Sequence, residues 1–342
     1  MIHFLPRDSF YSGPTIDLDH NTFCLSFEAL GTGRGGPLVH LGDSLVGRVE
    51  MQEKDGIVGR GSGGTVKRGR LLRNSPLSQS ADHQVVAVKE MTTLRHLKKE
   101  DIYTEINLLC SCSSPNIVQC FGSFRDETSI CLVMECMDGS LEDVRNVPMP
   151  VLAMILHDVI SGLAYLHDEK RLLHNDLKPA NILFKRGKVK LSDFGTAVPL
   201  GRDGSAKEFV GSVSYMSPER IEHEPCGPEA DVWSLGILAL ELATGQHPLK
   251  PVMRGKLSTE EKFWAVHDFF RSSNGPLAQY ESLDPLFADF AQQCLSRDKF
   301  ARPTSRALLT HDFLKQYLME PATNLDTVHQ WLLQQQQADC AW

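Results

Sequence analysis

The sequence lacks the features that would tie it to a membrane, a secretory route or a nucleic acid. No run of about 20 uninterrupted apolar residues occurs, and the most apolar segment, 147–166, is broken by His157 and Asp158. The amino terminus lacks the charged-then-apolar order of a secretory signal. Basic residues are not in excess, since 35 Lys and Arg stand against 43 Asp and Glu, a net charge of −8. The sequence therefore predicts no membrane span and no nucleic-acid partner.

Cysteine is present, but not in a pattern typical of disulfide frameworks or zinc sites. Nine cysteines occur, an odd number, and only Cys110 and Cys112 lie close together, in a single C-x-C that does not match zinc-ligand spacing. We therefore expect mostly buried, reduced thiols in a cytoplasmic protein. Apolar residues make up 42% of the chain, which is enough for a sizeable core.

The chain changes character along its length. Residues 1–48 are rich in Gly, Ser, Pro and His and indicate an irregular leader, for which a docking or regulatory role is the hypothesis. Residues 49–136 contain short β-branched and apolar runs typical of strands, together with one run at helical spacing. The chain then turns to long amphipathic helices, predicted over 151–167, 229–244, 284–295 and 302–313.

A strand-rich part followed by a helix-rich part predicts an α+β fold rather than a parallel sheet. We expect two lobes, a β-rich N-lobe over 49–136 with one main helix and a larger helical C-lobe over 137–318. Residues 319–342 are predicted to be a C-terminal tail, whose run of glutamines need not fold onto the lobes.

A glycine-rich segment offers a first candidate binding site. Gly59, Gly61 and Gly64, followed by Val66, form G-x-G-x-x-G-x-V. Glycines let backbone N–H groups approach phosphate oxygens closely because no Cβ intervenes. A Rossmann turn carries the same glycines, and a hairpin without a ligand is a further interpretation. A Rossmann turn would enter a helix directly, whereas here a returning strand follows, so the pattern favours a hairpin.

A lysine stands at the end of the next apolar run, Val-Ala-Val-Lys89. Such a lysine is often a strand end whose charge reaches water. Glu105 follows sixteen residues later, among helically spaced residues that would pack inward. A buried lysine needs a carboxylate partner to stay charged, and a charged lysine can hold phosphates. Glu100 is the competing partner, and its poorer register favours Glu105.

The most specific pattern is His174-Asn-Asp176-Leu-Lys178-Pro-Ala-Asn181, followed by Asp193-Phe-Gly. Phosphoryl transfer needs a carboxylate to orient the attacking hydroxyl, oxygen ligands for Mg²⁺ and a cation on the transferred group. Asp176 would orient the hydroxyl, Asn181 and Asp193 would bind metal, and Lys178 would supply the cation. Aspartates near Asn and Gly also occur in ordinary turns, but here they follow the glycine segment and Lys89 in order.

Together these motifs resemble those of a eukaryotic-type protein kinase, over roughly Val49 to Leu314. The resemblance implies a bilobal fold, ATP and Mg²⁺ as cofactors, and a serine/threonine type, since Lys178 is followed by proline. It also implies structural roles for Asp231, which would hold the catalytic loop, and for Arg302, which would pair with Glu219.

The segments 59–66, 133–141 and 209–220 resemble those of mitogen-activated protein kinase kinases, which phosphorylate Thr and Tyr in the activation loop of a downstream kinase. The resemblance implies a protein substrate that is itself a kinase, and an upstream kinase as a second partner. It places the adenine among residues of both lobes, namely Val66, Ala87, Met134, Glu135, Met137 and Leu183. The alternatives are a serine/threonine kinase of another cascade tier, and a nucleotide-binding pseudokinase scaffold.

Two positions depart from that family. Asn175 replaces the arginine that usually precedes the catalytic aspartate and pairs with an activation-loop phosphate. Glu208 stands where related kinases usually carry a phosphorylated Ser or Thr, and Ser205 is the nearest remaining hydroxyl. A glutamate is a fixed anion that partly mimics a phosphate. We therefore predict that activity depends less on loop phosphorylation than in related kinases.

Overall fold

The protein is described from a computed structural model. The structure describes residues 49–51, 57–61, 64–71, 84–92, 99–126, 129–206, 211–253, 255–273, 275–280, 282–319 and 325–339. The predicted leader, 1–48, and Glu208 lie outside the described residues.

The chain divides into two compact units. The first contains residues up to Lys99 together with Cys120–Cys136, and the second contains Glu100–Gln119 together with the chain from Met137 onward. The segment before Cys120 groups with the second unit because it is hydrogen-bonded there: Val118 N–H donates to the carbonyl of Leu191 at 3.0 Å. The predicted helix of the N-lobe therefore falls almost entirely in the second unit. A strand-rich unit and a helix-rich unit confirm the predicted α+β class.

The first unit is a six-stranded antiparallel sheet. Its strands run in the order β1-β3-β4-β6-β5, and β2 pairs with β3. The strands are β1 Val49–Met51, β2 Ile57–Gly61, β3 Gly64–Leu71, β4 Gln84–Thr92, β5 Cys120–Asp126 and β6 Ser129–Glu135.

The two faces of this sheet differ. Side chains alternate along a strand, and the β-branched residues of β4 and β6 place Val86, Val88 and Val133 on one face. There they form a fully buried cluster with Leu71 and Phe121. The opposite face carries Ala87 and Lys89, and β3 adds Arg68 and Arg70, which lie opposite Ala87 and Val85.

The second unit is mainly helical. Its strands are β7 Gly139–Ser140, β8 Leu172–Leu173, β9 Ile182–Lys185, β10 Lys188–Leu191 and β11 Val198–Pro199. Its helices are α1 Lys99–Ser111, α2 Met149–Ala164, α3 Pro218–Ile221, α4 Pro228–Thr244, α5 Thr259–Ser272, α6 Pro285–Cys294, α7 Ser305–Leu308, α8 Asp312–Leu318 and α9 Leu325–Asp339. The order β10-β9-β7 forms one small sheet, and β11 pairs with β8.

Helices α2 and α4 form the centre of the second unit. Thirteen of the residues of α4 and eleven of those of α2 are buried, and α2 packs on α4, α7, α8 and strand β10. Among the described residues one stretch, Met149–Lys170, has the length and apolarity of a membrane span, and 67% of its apolar window is buried inside the fold. A core helix passes the same test.

One helical prediction was wrong in detail, and one helix was not predicted. The predicted helix 302–313 is two short helices, α7 and α8, because Thr304 and His311 each cap a new helix with their side chains. Helix α5 was not predicted. It begins with a capping box, in which the Ser258 side chain accepts from Glu261 N–H and the Glu261 carboxylate accepts from Ser258 N–H.

The predicted C-terminal tail contains a helix, α9, which packs against α2. Val328 and Leu332 of α9 are 1% and 0% exposed, so the polar composition around them did not prevent burial of one apolar stripe. The start of α9 also lies close to the turn between β9 and β10, where a Cβ on Gly187 would collide with the carbonyl oxygen of Leu325.

Five of the described cysteines are free thiols, namely Cys112, Cys131, Cys136, Cys226 and Cys294, and four of these are buried. Cys110 and Cys120 are disulfide-bonded, so the prediction of reduced thiols was wrong for these two. Burial raises the pKa of the Cys112 and Cys226 thiols to about 11. These two thiols therefore remain protonated and unreactive at neutral pH.

Candidate active site

The loop that follows β8 carries the most specific sequence motif. His174, Asn175 and Asp176 leave the strand as buried residues, and Pro179–Asn181 form a 3₁₀ turn that leads into β9. Asp231 of α4 holds this loop, since its Oδ2 accepts from His174 N–H at 2.8 Å and its Oδ1 from Asn175 N–H at 2.9 Å. Two successive backbone N–H groups are thus fixed by one carboxylate.

Asp231 itself is 1% exposed and stays ionised. Burial acts to raise its pKa, but the hydrogen bond from His167 and the contacts with His174 outweigh burial and lower the pKa below its ordinary value. His167 Nε2 lies 2.9 Å from Asp231 Oδ2, and its Nδ1 lies 2.9 Å from Ser305 Oγ. The support of the loop therefore extends from α4 to α7.

Asp176 is the centre of a hydrogen-bond cluster. Its Oδ2 accepts from Lys178 Nζ at 2.7 Å and from Asn181 Nδ2 at 2.9 Å. Its Oδ1 accepts from the backbone N–H of Ser212 at 2.8 Å, and Lys178 Nζ also donates to Ser212 Oγ at 3.0 Å. The structure therefore brings together three of the predicted site residues, Asp176, Lys178 and Asn181, and adds Ser212.

This environment keeps Asp176 ionised. Burial acts to raise the pKa of its carboxyl, but the hydrogen bonds from Lys178 and Ser212 outweigh burial and hold the pKa below its ordinary value. Asp176 is 7% exposed and still charged. Its carboxylate is therefore a hydrogen-bond acceptor whose orientation is fixed by the bonds around it.

The predicted metal ligands lie next to this cluster. Asn181 Nδ2 donates to the backbone oxygen of Asp176 at 2.8 Å as well as to its carboxylate, so the amide oxygen of Asn181 is the atom left for a cation. Ser192, the residue before Asp193, donates its N–H to the carbonyl of Asn181 at 3.0 Å. Asp193 has φ +60°, a left-handed conformation that Asp adopts more readily than most residues.

Gly195 leaves room beside two carboxylates. A Cβ on Gly195 would lie 3.3 Å from Glu105 Oε2 and 3.6 Å from Asp193 Oδ1. Glu105, on α1, is 6% exposed. An amide oxygen and a carboxylate are hard oxygen donors of the kind that Mg²⁺ prefers, so Asn181 and Asp193 fit the ion that the sequence predicts. No group of three or more His, Cys, Asp or Glu among the described residues forms a separate metal site.

In the first unit, β2 and β3 form the predicted glycine hairpin. Gly59 lies opposite Val66 and Gly61 lies opposite Gly64. Gly64 has φ +131°, and a Cβ there would collide with the carbonyl oxygen of Glu90. Only glycine fits at that position, so the close approach of two backbones accounts for one glycine of the motif without reference to a ligand.

Four other predicted residues share one face of the same sheet. Lys89 lies opposite Val66 on β3, and Ala87 lies opposite Met134 on β6. Directly opposed residues in an antiparallel pair, and residues two apart on one strand, point to the same face. Lys89 is 8% exposed, so its ammonium group is withdrawn from solvent on the face that carries Val66, Ala87 and Met134.

The other predicted residues are divided between the units. Glu135 ends β6 in the first unit, whereas Glu105, Met137 and Leu183 belong to the second. The pairing of Lys89 with Glu105, and the adenine pocket, stay predictions.

The predicted structural pair is present. Arg302 Nη1 and Nη2 donate to the two carboxylate oxygens of Glu219 at 2.7 and 2.9 Å. Burial acts to raise the pKa of Glu219, and the bonds from Arg302 outweigh it and lower the pKa. The Arg302 guanidinium also lies 4.9 Å from the Trp233 ring centroid. This bidentate pair fixes α3, and with it the end of the segment that contains Ser212.

Sequence reasoning missed two contacts of the site. No sequence motif marks Ser212 as a partner of Asp176, although its N–H donates to Asp176 Oδ1. No motif marks Thr196 either, although its Oγ1 donates to the carbonyl oxygen of His174. Both are small hydroxyl residues in loops, where no periodic signal exists.

Known proteins with similar sequences identify the family of this chain. Residues 52–314 match the family described as "Protein kinase domain". The chain is 37% identical over 275 residues to mitogen-activated protein kinase kinase 5 of Leishmania mexicana, over 79% of this chain and 50% of that protein. It is 33% identical to mitogen-activated protein kinase kinase 1c of Physcomitrium patens, over 76% of this chain and 75% of that protein.

A third relative is the dual specificity mitogen-activated protein kinase kinase dSOR1 of Drosophila melanogaster, 31% identical over 79% of this chain and 72% of that protein. The chain thus spans half the length of the Leishmania relative and close to three quarters of the other two. The chain belongs to the protein kinase family, and within it to the mitogen-activated protein kinase kinases.

Proposed function

We propose that this protein transfers the terminal phosphoryl group of Mg-ATP to threonine and tyrosine hydroxyls in the activation loop of a downstream MAP kinase. The observation that supports the proposal most is the ionised Asp176 carboxylate, held by Lys178, Asn181 and Ser212 in fixed positions. Dual specificity rests on similarity to kinases of that type, one of which carries it in its name.

The two oxygens of Asp176 have different roles in this proposal. Each carboxylate oxygen accepts about two hydrogen bonds, and Oδ2 already accepts from Lys178 and Asn181. Oδ1 accepts from Ser212 N–H, so it keeps capacity for the hydroxyl of the substrate. The hydroxyl oxygen forms the new bond to phosphorus, the bond from phosphorus to the ADP oxygen breaks, and Oδ1 accepts the hydroxyl proton.

The charges around Asp176 suit that transfer. Lys178 lies where it can move from Ser212 Oγ to an oxygen of the transferred group, since its side chain remains 28% exposed. Asn181 and Asp193 would hold Mg²⁺, which when bound neutralises charge on the phosphates. Lys89, on the sheet face that also carries Val66 and Ala87, would bind phosphate oxygens from the first unit.

The direct test is transfer from radiolabelled ATP, with Mg²⁺, to a panel of catalytically inactive MAP kinases. We expect label on both threonine and tyrosine of one activation loop, located by mass spectrometry. Replacing Lys89 with Met should lower the rate about 100-fold or more, because a charge that contacts the transferred phosphates is lost.

Lys67→Met is the matched control. Lys67 lies on the neighbouring strand and pairs with Glu90 at 2.7 Å near the surface, where such a pair contributes little. We expect its rate to stay within about two-fold. Label on serine or threonine alone would favour a kinase of another cascade tier, and ATP binding without any transfer would favour the pseudokinase scaffold. Either result contradicts the proposal.

We also expect little dependence on phosphorylation of Ser205. The Ser205 hydroxyl donates to Asp203 Oδ2 at 2.9 Å, and its N–H donates to Asp203 Oδ1 at 3.1 Å. A phosphate on Ser205 would replace this donor and place negative charge beside a carboxylate, which is unfavourable. Phosphatase treatment, and the Ser205→Ala substitution, should each change the transfer rate by less than about three-fold.

Mass spectrometry of the protein before and after phosphatase treatment serves as the control, since it shows whether any phosphate was removed. A fall of ten-fold or more in either sample would show that a loop phosphate activates this kinase, contrary to the prediction.

A further inference from the structure

Asn175 is a polar residue in a buried position with an unfavourable backbone conformation. It is 2% exposed, has φ +66° and leaves its side-chain oxygen buried without a hydrogen-bond partner. A left-handed backbone and an unsatisfied buried oxygen both cost free energy. Its side chain makes one hydrogen bond in return, from Nδ2 to the carbonyl oxygen of Thr196 at 3.2 Å.

Thr196 makes a second hydrogen bond between the same two segments. Its Oγ1 donates to the carbonyl oxygen of His174 at 3.2 Å. Each of two segments therefore contributes one side-chain donor to a backbone carbonyl of the other. We call this reciprocal pair of bonds, made by Asn175 and Thr196, the 175–196 clasp.

The clasp joins the two segments that carry the chemistry. Asp176 directly follows Asn175, and Asp193 lies three residues before Thr196. Between Asp193 and Thr196 the chain forms a tight turn, in which Ala197 N–H donates to the carbonyl of Phe194 at 3.1 Å. A shift at Thr196 would therefore be transmitted to Asp193 over a single turn.

Other contacts hold the loop of Asp176 and the chain before Asp193. Asp231 binds the backbone of His174 and Asn175 from α4. His174 Nε2 lies 3.0 Å from the carbonyl of Ser192, which fixes the chain before Asp193. The clasp fixes the chain after Asp193, so both sides of that residue are tied to the loop of Asp176.

We propose that the 175–196 clasp is a positioning device for phosphoryl transfer, which sets the spacing between the carboxylates of Asp176 and Asp193. Asn175 and Thr196 are accordingly positioning residues and not catalytic ones. The inference rests on the proposed function, because it assigns the two carboxylates to the hydroxyl and to the metal. A displacement of about 1 Å in such a site can cost about 100-fold in rate.

The test compares isosteric and conservative variants. Thr196→Val removes the hydroxyl donor at nearly constant shape, and Thr196→Ser keeps it. Asn175→Asp keeps the shape but replaces the amide donor with an acceptor. Arg220 donates to the Asn175 carbonyl at 2.9 Å, so a positive charge lies near the new carboxylate when the variant is folded.

We expect kcat to fall about ten-fold in Thr196→Val and about 100-fold in Asn175→Asp, with Thr196→Ser within about three-fold of the wild type. The free Mg²⁺ concentration for half-maximal rate should rise several-fold in the first two variants, because Asp193 is displaced. Thr244→Val is the matched control, since Thr244 Oγ1 also donates to a carbonyl, that of Leu240 at 2.7 Å, away from the site.

A purely structural role would lower the midpoint of thermal unfolding and leave kcat and the Mg²⁺ dependence unchanged, and that result would overturn the proposal. Amide hydrogen exchange gives a readout that needs no activity. The amides of 193–197 should exchange faster in Thr196→Val than in Thr196→Ser. If the wild type transfers no phosphate, the proposed function fails, while equal exchange in both variants would overturn the clasp independently.

Discussion

Replacing Asp176 with Asn is expected to lower kcat by about 100- to 10,000-fold, the range for loss of a positioned proton acceptor. The substitution keeps the shape of the side chain but puts an amide nitrogen in place of one carboxylate oxygen. Lys178 and Asn181 both donate to Oδ2, and Ser212 donates to Oδ1. An amide nitrogen at either position would face a donor with another donor, so the cluster must rearrange.

The KM for ATP should change by less than about three-fold, because Asp176 contacts the hydroxyl and not the nucleotide in the proposed mechanism. Initial rates over a range of ATP concentrations give kcat and the KM for ATP, and calorimetric titration gives the Kd for ATP as an independent check. Asp168→Asn is a suitable control, since Asp168 is 42% exposed and pairs with Arg306. A decrease of less than ten-fold in Asp176→Asn would contradict the assigned role.

The lowered pKa of Asp176 adds a pH expectation with a definite sign. Its charged form is favoured by Lys178 and Ser212, so the pKa of its carboxyl lies below the ordinary value for an aspartate, about 3.9. Asp176 should therefore cause no fall in kcat as the pH is lowered from 8 to about 5. Any fall in kcat in that pH range has to come from the titration of another group.

Replacing Asp231 with Ala is expected to reduce the free energy of unfolding by about 3–5 kcal/mol, as for removal of one partner from a buried charge network. Asp231 is 1% exposed, and its carboxylate accepts the N–H groups of His174 and Asn175 and contacts His167. Without it, two buried N–H groups lose their acceptor, at about 1–3 kcal/mol each. Urea unfolding followed by circular dichroism measures the loss.

The same carboxylate contributes to acid sensitivity. Its pKa is lowered in the folded protein, so its stabilising contribution is present above the unfolded value of about 3.9 and is lost as the pH falls through the folded pKa. Asp231→Ala should therefore show a shallower loss of stability in acid than the wild type. Asp289→Ala, at a side chain that is 58% exposed, should change stability by about 0.5 kcal/mol or less. An equal effect of both substitutions would contradict the buried network.

Patterns that combine residue type with spacing were the ones that predicted this structure. The apolar runs of α2 and α4 bury almost completely, and their predicted bounds, 151–167 and 229–244, lie close to the observed helices. The kinase motifs placed Asp176, Lys178 and Asn181 in one loop, and the structure brings their side chains together. Long periodic segments and fixed-spacing motifs carry enough local information for this.

Tertiary contacts account for what the sequence did not predict. Helix α9 is polar overall, and the burial of Val328 and Leu332 is a tertiary contribution to its stability. Helices α7 and α8 were merged because their apolar residues continue in phase across the caps at Thr304 and His311. The contacts of Ser212 and Thr196 join segments that are 36 and 22 residues apart in the chain, a distance that no local pattern spans.

The packing of α9 on α2 has a practical consequence for anyone who prepares a shorter version of this protein. The family match ends at residue 314, and a chain cut there would lose α9. The surface of α2 that α9 contacts, and the surface that buries Val328 and Leu332, would then face water, and newly exposed apolar surface promotes self-association. A soluble truncated protein should therefore keep the residues through 339.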